Sequence, residues 1–168
     1  MIENQLRPNK ITNLTLLDIF NRVSKEKFIS EDNFNICYSD QDISILDNRG
    51  YLKNLHLAQI LNFADIKKNE RVLHIGGLTG YLSVLISKLC KEICVTEKDD
   101  ESLDLIKKNF KENQVKNGFA FKNNLIEGLS EKDPFDLIII DCPQYNINLN
   151  LLNQLNVGGR LLYIEKLN

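Results

Sequence analysis

The sequence has no excess of charge of one sign. Its 21 Lys and Arg face 23 Asp and Glu, a net charge of −2. A nucleic-acid binder driven by phosphate attraction gets no support from that balance. No apolar run approaches the ~18 residues a membrane span needs. Met1–Lys10 is polar, carries Pro8 and lacks the apolar centre of a signal peptide. No membrane and no nucleic acid are therefore expected as partners, and the expected location is cytoplasmic. The four cysteines, Cys37, Cys90, Cys94 and Cys142, form no C-x-x-C and fit no zinc spacing. They are expected to be reduced, packed thiols, with no metal site. No internal repeat and no Gly/Ser/Pro-rich linker divides the chain.

What is there is ordinary for a globular protein. Hydrophobic residues make up 43% and charged residues 26% of 168 positions, enough for one domain with a real core. The first fifty residues are irregular. Leu14, Leu17, Ile19 and Val23 suit a helix over 12–22, Ile43–Leu46 a short extended stretch, and Asp47-Asn48-Arg49-Gly50 a turn. Leu55, Ala58, Leu61 and Phe63 predict a helix over 54–64. From Glu70 onward, short apolar runs alternate with amphipathic segments. The runs are Val72–Ile75, Ile93–Thr96, Phe119–Phe121, Phe135–Ile140 and Leu161–Ile164. Leu78, Leu82, Leu85, Ile86 and Leu89 recur at helical spacing. Asp99, Asp100 and Glu101 open a helix that ends among lysines, as the helix dipole favours. Leu103, Ile106 and Phe110 give that helix its buried stripe. Ile147, Leu151, Leu152 and Leu155 predict a last helix closed by Gly158-Gly159.

Strands alternating with helices imply β-α-β units: an α/β three-layer sandwich with a Rossmann-like, mostly parallel sheet. Residues 1–168 read as a single domain, with 1–53 as an N-terminal helical extension and 54–168 as the core. Near-continuous apolar strands require both sheet faces to be covered. Ligands of such folds sit beyond the carboxyl ends of the strands. That places a candidate site at His74–Gly80, Glu97–Asp99, Asn123–Leu125 and Asp141–Pro143.

The turn His74-Ile75-Gly76-Gly77-Leu78-Thr79-Gly80 follows the first of these strands. It is neither G-x-G-x-x-G nor a P-loop, so nicotinamide and triphosphate ligands are weakly supported. Its glycines let the backbone turn sharply and approach a ligand. Glu97 ends the second strand, where an acid accepts hydrogen bonds from both hydroxyls of a ribose. The pair suggests an adenosine-type cofactor gripped without a phosphate, and S-adenosylmethionine fits best. The bland reading of His74 is a strand-end histidine, and His56 is expected to be exposed.

Met1–Lys10, Arg71–Tyr81, Phe135–Asp141 and Gln154–Leu161 together resemble the protein-L-isoaspartate O-methyltransferase family, in particular its shorter bacterial branch. The resemblance covers nearly the whole chain. It implies the class I methyltransferase fold, S-adenosylmethionine, and methyl transfer to the isoaspartyl carboxylates of damaged proteins. It places His74, Gly76, Gly77, Leu78, Gly80, Glu97, Lys98, Asn124, Leu125 and Asp141 around the cofactor and names no catalytic residue. The family's first motif reads acid-x-Gly-x-Gly-x-Gly, with His74 here in the acid position and Leu78 in place of the middle glycine. Its Gly-Asp-Gly appears as Asn123-Asn124-Leu125, and its Ile-Ser-x-Pro aligns with Tyr51-Leu52-Lys53-Asn54. These departures support an alternative, a non-catalytic member acting as a binding or assembly module. Asp141-Cys142-Pro143-Gln144-Tyr145 is distantly similar to the Asp/Asn-Pro-Pro-Tyr motif of amino-group methyltransferases. The family has two further strands beyond the fifth, whereas this sequence ends at Asn168. A homodimer is therefore expected, a second copy covering the apolar strand Leu161–Ile164.

Overall fold

A computed structural model describes residues 1–46, 49–144 and 146–165. Asp47 and Asn48 of the expected turn, and Tyr145 of the amino-group motif, lie outside the described residues. Two compact units divide the chain, Met1–Asp65 and Ile66–Asn168.

The first unit begins with a short π-helical segment, Ile2–Leu6, and helix α1, Leu14–Arg22. Asn13 starts α1 by accepting the Thr15 and Leu16 N–H groups on its side chain, the usual way to satisfy orphan donors at a helix start. Two 3-10 turns, Lys25–Phe28 and Glu31–Ile36, occupy the irregular stretch. Strands β1, Ile43–Leu46, and β2, Arg49–Tyr51, pair antiparallel. Gly50 is required there because a Cβ would lie 2.0 Å from the Ile43 carbonyl oxygen. Helix α2 spans Asn54–Ala64 as expected, but its buried stripe differs. Leu57, Ala58, Leu61 and Ala64 are buried, whereas Phe63 is 75% exposed. Positions 57, 61 and 64 share one face at i, i+4 and i+7, and 63 falls on the other side.

The second unit contains a five-stranded parallel sheet. Its strands are β3 (Arg71–Ile75), β4 (Glu92–Glu97), β5 (Gly118–Lys122), β6 (Phe135–Gln144) and β7 (Leu155–Glu165), in the order β5-β4-β3-β6-β7. Helices α3, Tyr81–Ser87, and α4, Asp100–Glu112, make the crossovers on the β4 and β5 side. Asp99 caps α4 by accepting the Ser102 N–H, and Leu103, Ile106 and Phe110 are buried as expected. Side-chain alternation splits the sheet into two faces. Leu73, Ile75, Cys94, Ile138 and Ile140 pack with Leu129 and Leu151 on one. Val72, His74, Val95, Glu97, Ile139 and Asp141 belong to the other.

One expected element is replaced. The helix over Ile147–Leu155 is a six-residue 3-10 segment, Leu149–Gln154, started by the Asn148 side chain accepting the Asn150 N–H. Leu151 is buried in the core cluster and Ile147 and Leu155 pack against it, so the run anchors to the core as a 3-10 turn and the start of a strand instead of as one helix face. Leu155 already belongs to β7, so Gly158-Gly159 lies inside a strand, with Gly158 at φ 80°.

The amino ends of the strands are tied by charge. Arg160 of β7 reaches across β6 to Glu70, just before β3, in a two-pronged ion pair of 2.8 and 2.9 Å. Arg71 donates to Glu92, 2.9 Å away, and to the carbonyls of Pro134 and Lys132 at 2.8 and 3.0 Å. The Arg160 hydrogen bonds hold the Glu70 carboxyl below its ordinary value. A depressed carboxyl stabilises the fold fully above its unfolded pKa, about 4.3, and loses that contribution as pH falls through the folded value. Glu70→Gln is expected to cost about 1 kcal/mol at pH 7, since the pair is partly screened. Urea unfolding at pH 7 and pH 3 checks this: the gap from the natural chain should shrink at the lower pH.

Candidate functional site

The expected residues are set at the carboxyl ends of β3, β4 and β6. The chain leaves β3 in a turn pinned from three directions. The Gly76 N–H donates to the Thr96 carbonyl of β4 at 2.9 Å, and the Gly80 N–H to the Gly77 carbonyl at 2.7 Å. From α4, the Asn109 side chain donates to the Thr79 carbonyl at 2.7 Å. Gly76 and Gly80 sit at φ 85° and 92°, where glycine is favoured. Gly77 is needed for space instead: a Cβ there would come within 2.4 Å of Val95 Cγ1.

Leu78 is the exception. It adopts φ 52° with a branched side chain that is only 3% exposed. Its N–H donates to Glu97 Oε1 at 2.7 Å, and the Lys98 N–H donates to Oε2 at 3.1 Å. Glu97 is fully buried. The carboxylate that sequence analysis assigned to a ribose thus also fastens the turn leading out of β3. The side chain of Lys98 is exposed.

His74 and Asp141 meet on the same sheet face. His74 Nε2 lies 3.2 Å from Asp141 Oδ1, and Nδ1 lies 2.8 Å from Ser83 Oγ on α3. His74, Ser83 and Asp141 are all buried. An imidazole in the acid position therefore brings a carboxylate with it from β6. The expected strand-end histidine is buried and bonded on both nitrogens, and His56 is exposed.

Asn124 and Leu125 are placed differently. Asn124 is exposed, and its Oδ1 accepts the Ile126 N–H at 3.0 Å, which shapes the loop after β5. Leu125 packs against the core cluster around Leu73 and Ile138. In the first unit, Leu52 of the segment aligned with the family's Ile-Ser-x-Pro accepts Lys25 Nζ at 3.0 Å. Asn54 is buried and donates to the Cys37 carbonyl at 3.3 Å. Burial lowers the Lys25 amine to about 8.

Ser83 and Asn109 were not singled out from the sequence. The available signal was a polar residue on a helix face that is otherwise apolar. Cys37, Cys90 and Cys94 offer no nucleophile. Burial raises Cys37 and Cys94 to about 11 and Cys90 to about 12, and a thiol needs a lowered pKa to react at neutral pH.

The donor set fits an adenosine-type cofactor in kind. It offers a fixed carboxylate at the end of β4, a second carboxylate on β6 beside the end of β3, and a turn with two positive-φ glycines. A carboxylate has about four acceptor positions, so holding a turn and binding a diol are compatible demands.

A family model described as protein-L-isoaspartate(D-aspartate) O-methyltransferase matches residues 1–165. The protein-L-isoaspartate O-methyltransferase of Protochlamydia amoebophila is 27% identical over 162 residues, 96% of this chain and 77% of that protein. That of Syntrophus aciditrophicus is 25% identical over 162 residues, 96% and 74% of the two chains. A solved protein-L-isoaspartate O-methyltransferase superposes with a TM-score of 0.81 at 20% identity, over 93% of this chain and 51% of that one, so this chain spans about half its length. A Plasmodium falciparum structure described as the same enzyme, in complex with S-adenosyl-L-homocysteine, gives a TM-score of 0.80 at 20% identity, over 95% and 80%. At that identity the structures show the fold.

Two substitutions test how the turn is held. Gly77→Ala should cost about 1–3 kcal/mol by overpacking against Val95. Asn109→Ala should cost about 1–3 kcal/mol by leaving the Thr79 carbonyl without this donor. Urea unfolding reads both, and an unchanged midpoint for either would remove that brace from the account.

Proposed function

The chain belongs to the protein-L-isoaspartate O-methyltransferase family, and we propose that it transfers a methyl group to the carboxylate of isoaspartyl residues in damaged proteins. The family uses S-adenosylmethionine, which we take as the donor here. The observation that carries this reading is the Glu97 carboxylate at the end of β4, fixed 2.7 Å from the Leu78 N–H in the turn out of β3. A carboxylate at that point of a parallel sheet is suited to a ribose diol. In this reading Glu97 holds the ribose, and Gly76 and Gly80 let the backbone come close. Asp141, tied to His74, supplies the negative charge that faces the cofactor's amino group. Lys98 stands beside Glu97 through its N–H, whereas Asn124 and Leu125, which serve the loop after β5 and the core cluster, are given no cofactor contact in this reading.

When bound, the cofactor supplies an electrophilic methyl group on a sulfonium. The accepting carboxylate, with a reference pKa of about 4, is already ionised at neutral pH. No general base is required of this chain. Its residues act by fixing orientation and excluding water.

The complete burial of Glu97 favours a second reading, a non-catalytic member that serves as a binding or assembly module. Titration with S-adenosylhomocysteine followed by an isoaspartyl peptide assay separates the two. Methyl transfer predicts saturable one-site binding and a methyl ester on the isoaspartyl peptide but not on its aspartyl isomer. Ligand at a hundred times its Kd should stabilise by about 2.7 kcal/mol, or roughly 5–10 °C in Tm. Binding without ester would favour the module, and no binding at millimolar ligand would overturn the methyltransferase reading.

We further propose that a second copy of the chain pairs with β7. Among the described residues β7 pairs with β6 alone, while Val157 is fully exposed and Tyr163 is 40% exposed. Two such edges meeting about a two-fold axis close on each other. Light scattering is expected to give twice the 19.4 kDa chain mass, and a monomer at high concentration would overturn the pairing.

A further inference from the structure

We infer that Leu78 sets the affinity of the Glu97 site by occupying its mouth, so that ligand and Leu78 side chain compete for the same space. This rests on the cofactor reading above. Three observations converge on this one residue. Leu78 has φ 52°, a conformation that bulky side chains rarely adopt and that collects at functional sites. Its side chain is nevertheless shut from solvent, at 3% exposure. Its N–H lies 2.7 Å from Glu97 Oε1, which puts its Cα within about 4 Å of that oxygen. The branched side chain therefore starts beside a carboxylate that solvent does not reach at all.

The surroundings prevent the turn from moving aside as a whole. Thr96 holds Gly76, Asn109 holds Thr79, and Gly77 has no room to shift toward Val95. With the turn held, the Leu78 side chain is the part of it that can swing, and in this proposal a hydroxyl reaching Glu97 displaces it. Burying a leucine is worth a factor of roughly ten to a hundred in an equilibrium constant, and a ligand that expels it forfeits that factor. The occupant is a nucleoside bearing vicinal hydroxyls. The site would discriminate weakly against close analogues, because the opposing contact is apolar.

The test is calorimetric titration of S-adenosylhomocysteine into the natural chain, Leu78→Gly and Leu78→Ala, with unfolding curves to establish that each is folded. Leu78→Ala keeps the need for positive φ and removes volume, so it separates filling from backbone strain. The expected result is affinity that rises at least tenfold in Leu78→Gly and by a smaller factor in Leu78→Ala. Equal affinity in all three chains would overturn the inference and leave the cofactor reading intact. No binding by any of the three would overturn the cofactor reading, and with it this one. Binding is read without turnover, so loss of catalysis by another route does not affect the result.

Discussion

The end of β4 does two jobs, and the rest of the second unit is arranged around that. The Thr96 carbonyl receives the Gly76 N–H, and the next residue's carboxylate receives the Leu78 N–H. Together they fix where the chain leaving β3 must turn, and therefore where α3 begins. Glu97 cannot be a loosely held surface acid in this arrangement. It is buried because it is part of the turn, and the Leu78 and Lys98 backbone N–H groups donate to its two oxygens. Such charge-assisted hydrogen bonds are strong and directional, and they help to offset the cost of burying the carboxylate.

The two ends of the sheet are built from different interactions. At the amino ends, arginines bridge strands: Arg160 with Glu70, and Arg71 with Glu92 and two carbonyls. These contacts close on themselves and are partly exposed. At the carboxyl ends the polar groups are buried and face backbone or each other: Glu97 with Leu78, His74 with Asp141 and Ser83. Changes at the first end alter stability, whereas the second end is the one proposed to meet a ligand. That polarity follows from parallel strands, which put every outgoing turn on the same edge.

Much of the scaffold was legible because its periodicity is local. The apolar runs at Val72, Ile93 and Phe135 became central strands, and Asp99 capped the helix it was expected to open. The stretch 147–159 misled because Leu151, Leu152 and Leu155 have helical spacing, yet Leu151 anchors a 3-10 turn and Leu155 starts a strand. Short apolar runs do not distinguish these outcomes. At the site, Glu97 and the glycine turn could be found from position along the chain. Ser83 and Asn109 could not, because their partners, His74 and the Thr79 carbonyl, are brought to them only by packing of α3 and α4. The pairing of His74 with Asp141 joins residues of two different strands and has no local signature.

That pairing bears on how the chain departs from its family's pattern. Replacing an acid by histidine at the end of β3 would ordinarily remove a negative charge from the sheet's edge. Here the imidazole is bonded to a carboxylate on the adjacent strand, so a negative group remains at that edge, displaced by one strand, with Ser83 occupying the other ring nitrogen. The histidine is thus held by a polar partner on each ring nitrogen. The Leu78 position has no comparable compensation, because an added side chain takes volume whatever its neighbours do. Of the two departures, the histidine is met by hydrogen-bond partners on neighbouring elements, and the leucine sits in a backbone conformation of φ 52°. Strain of that kind persists only where the surrounding contacts over-determine it, and Glu97, Thr96 and Asn109 supply those contacts here.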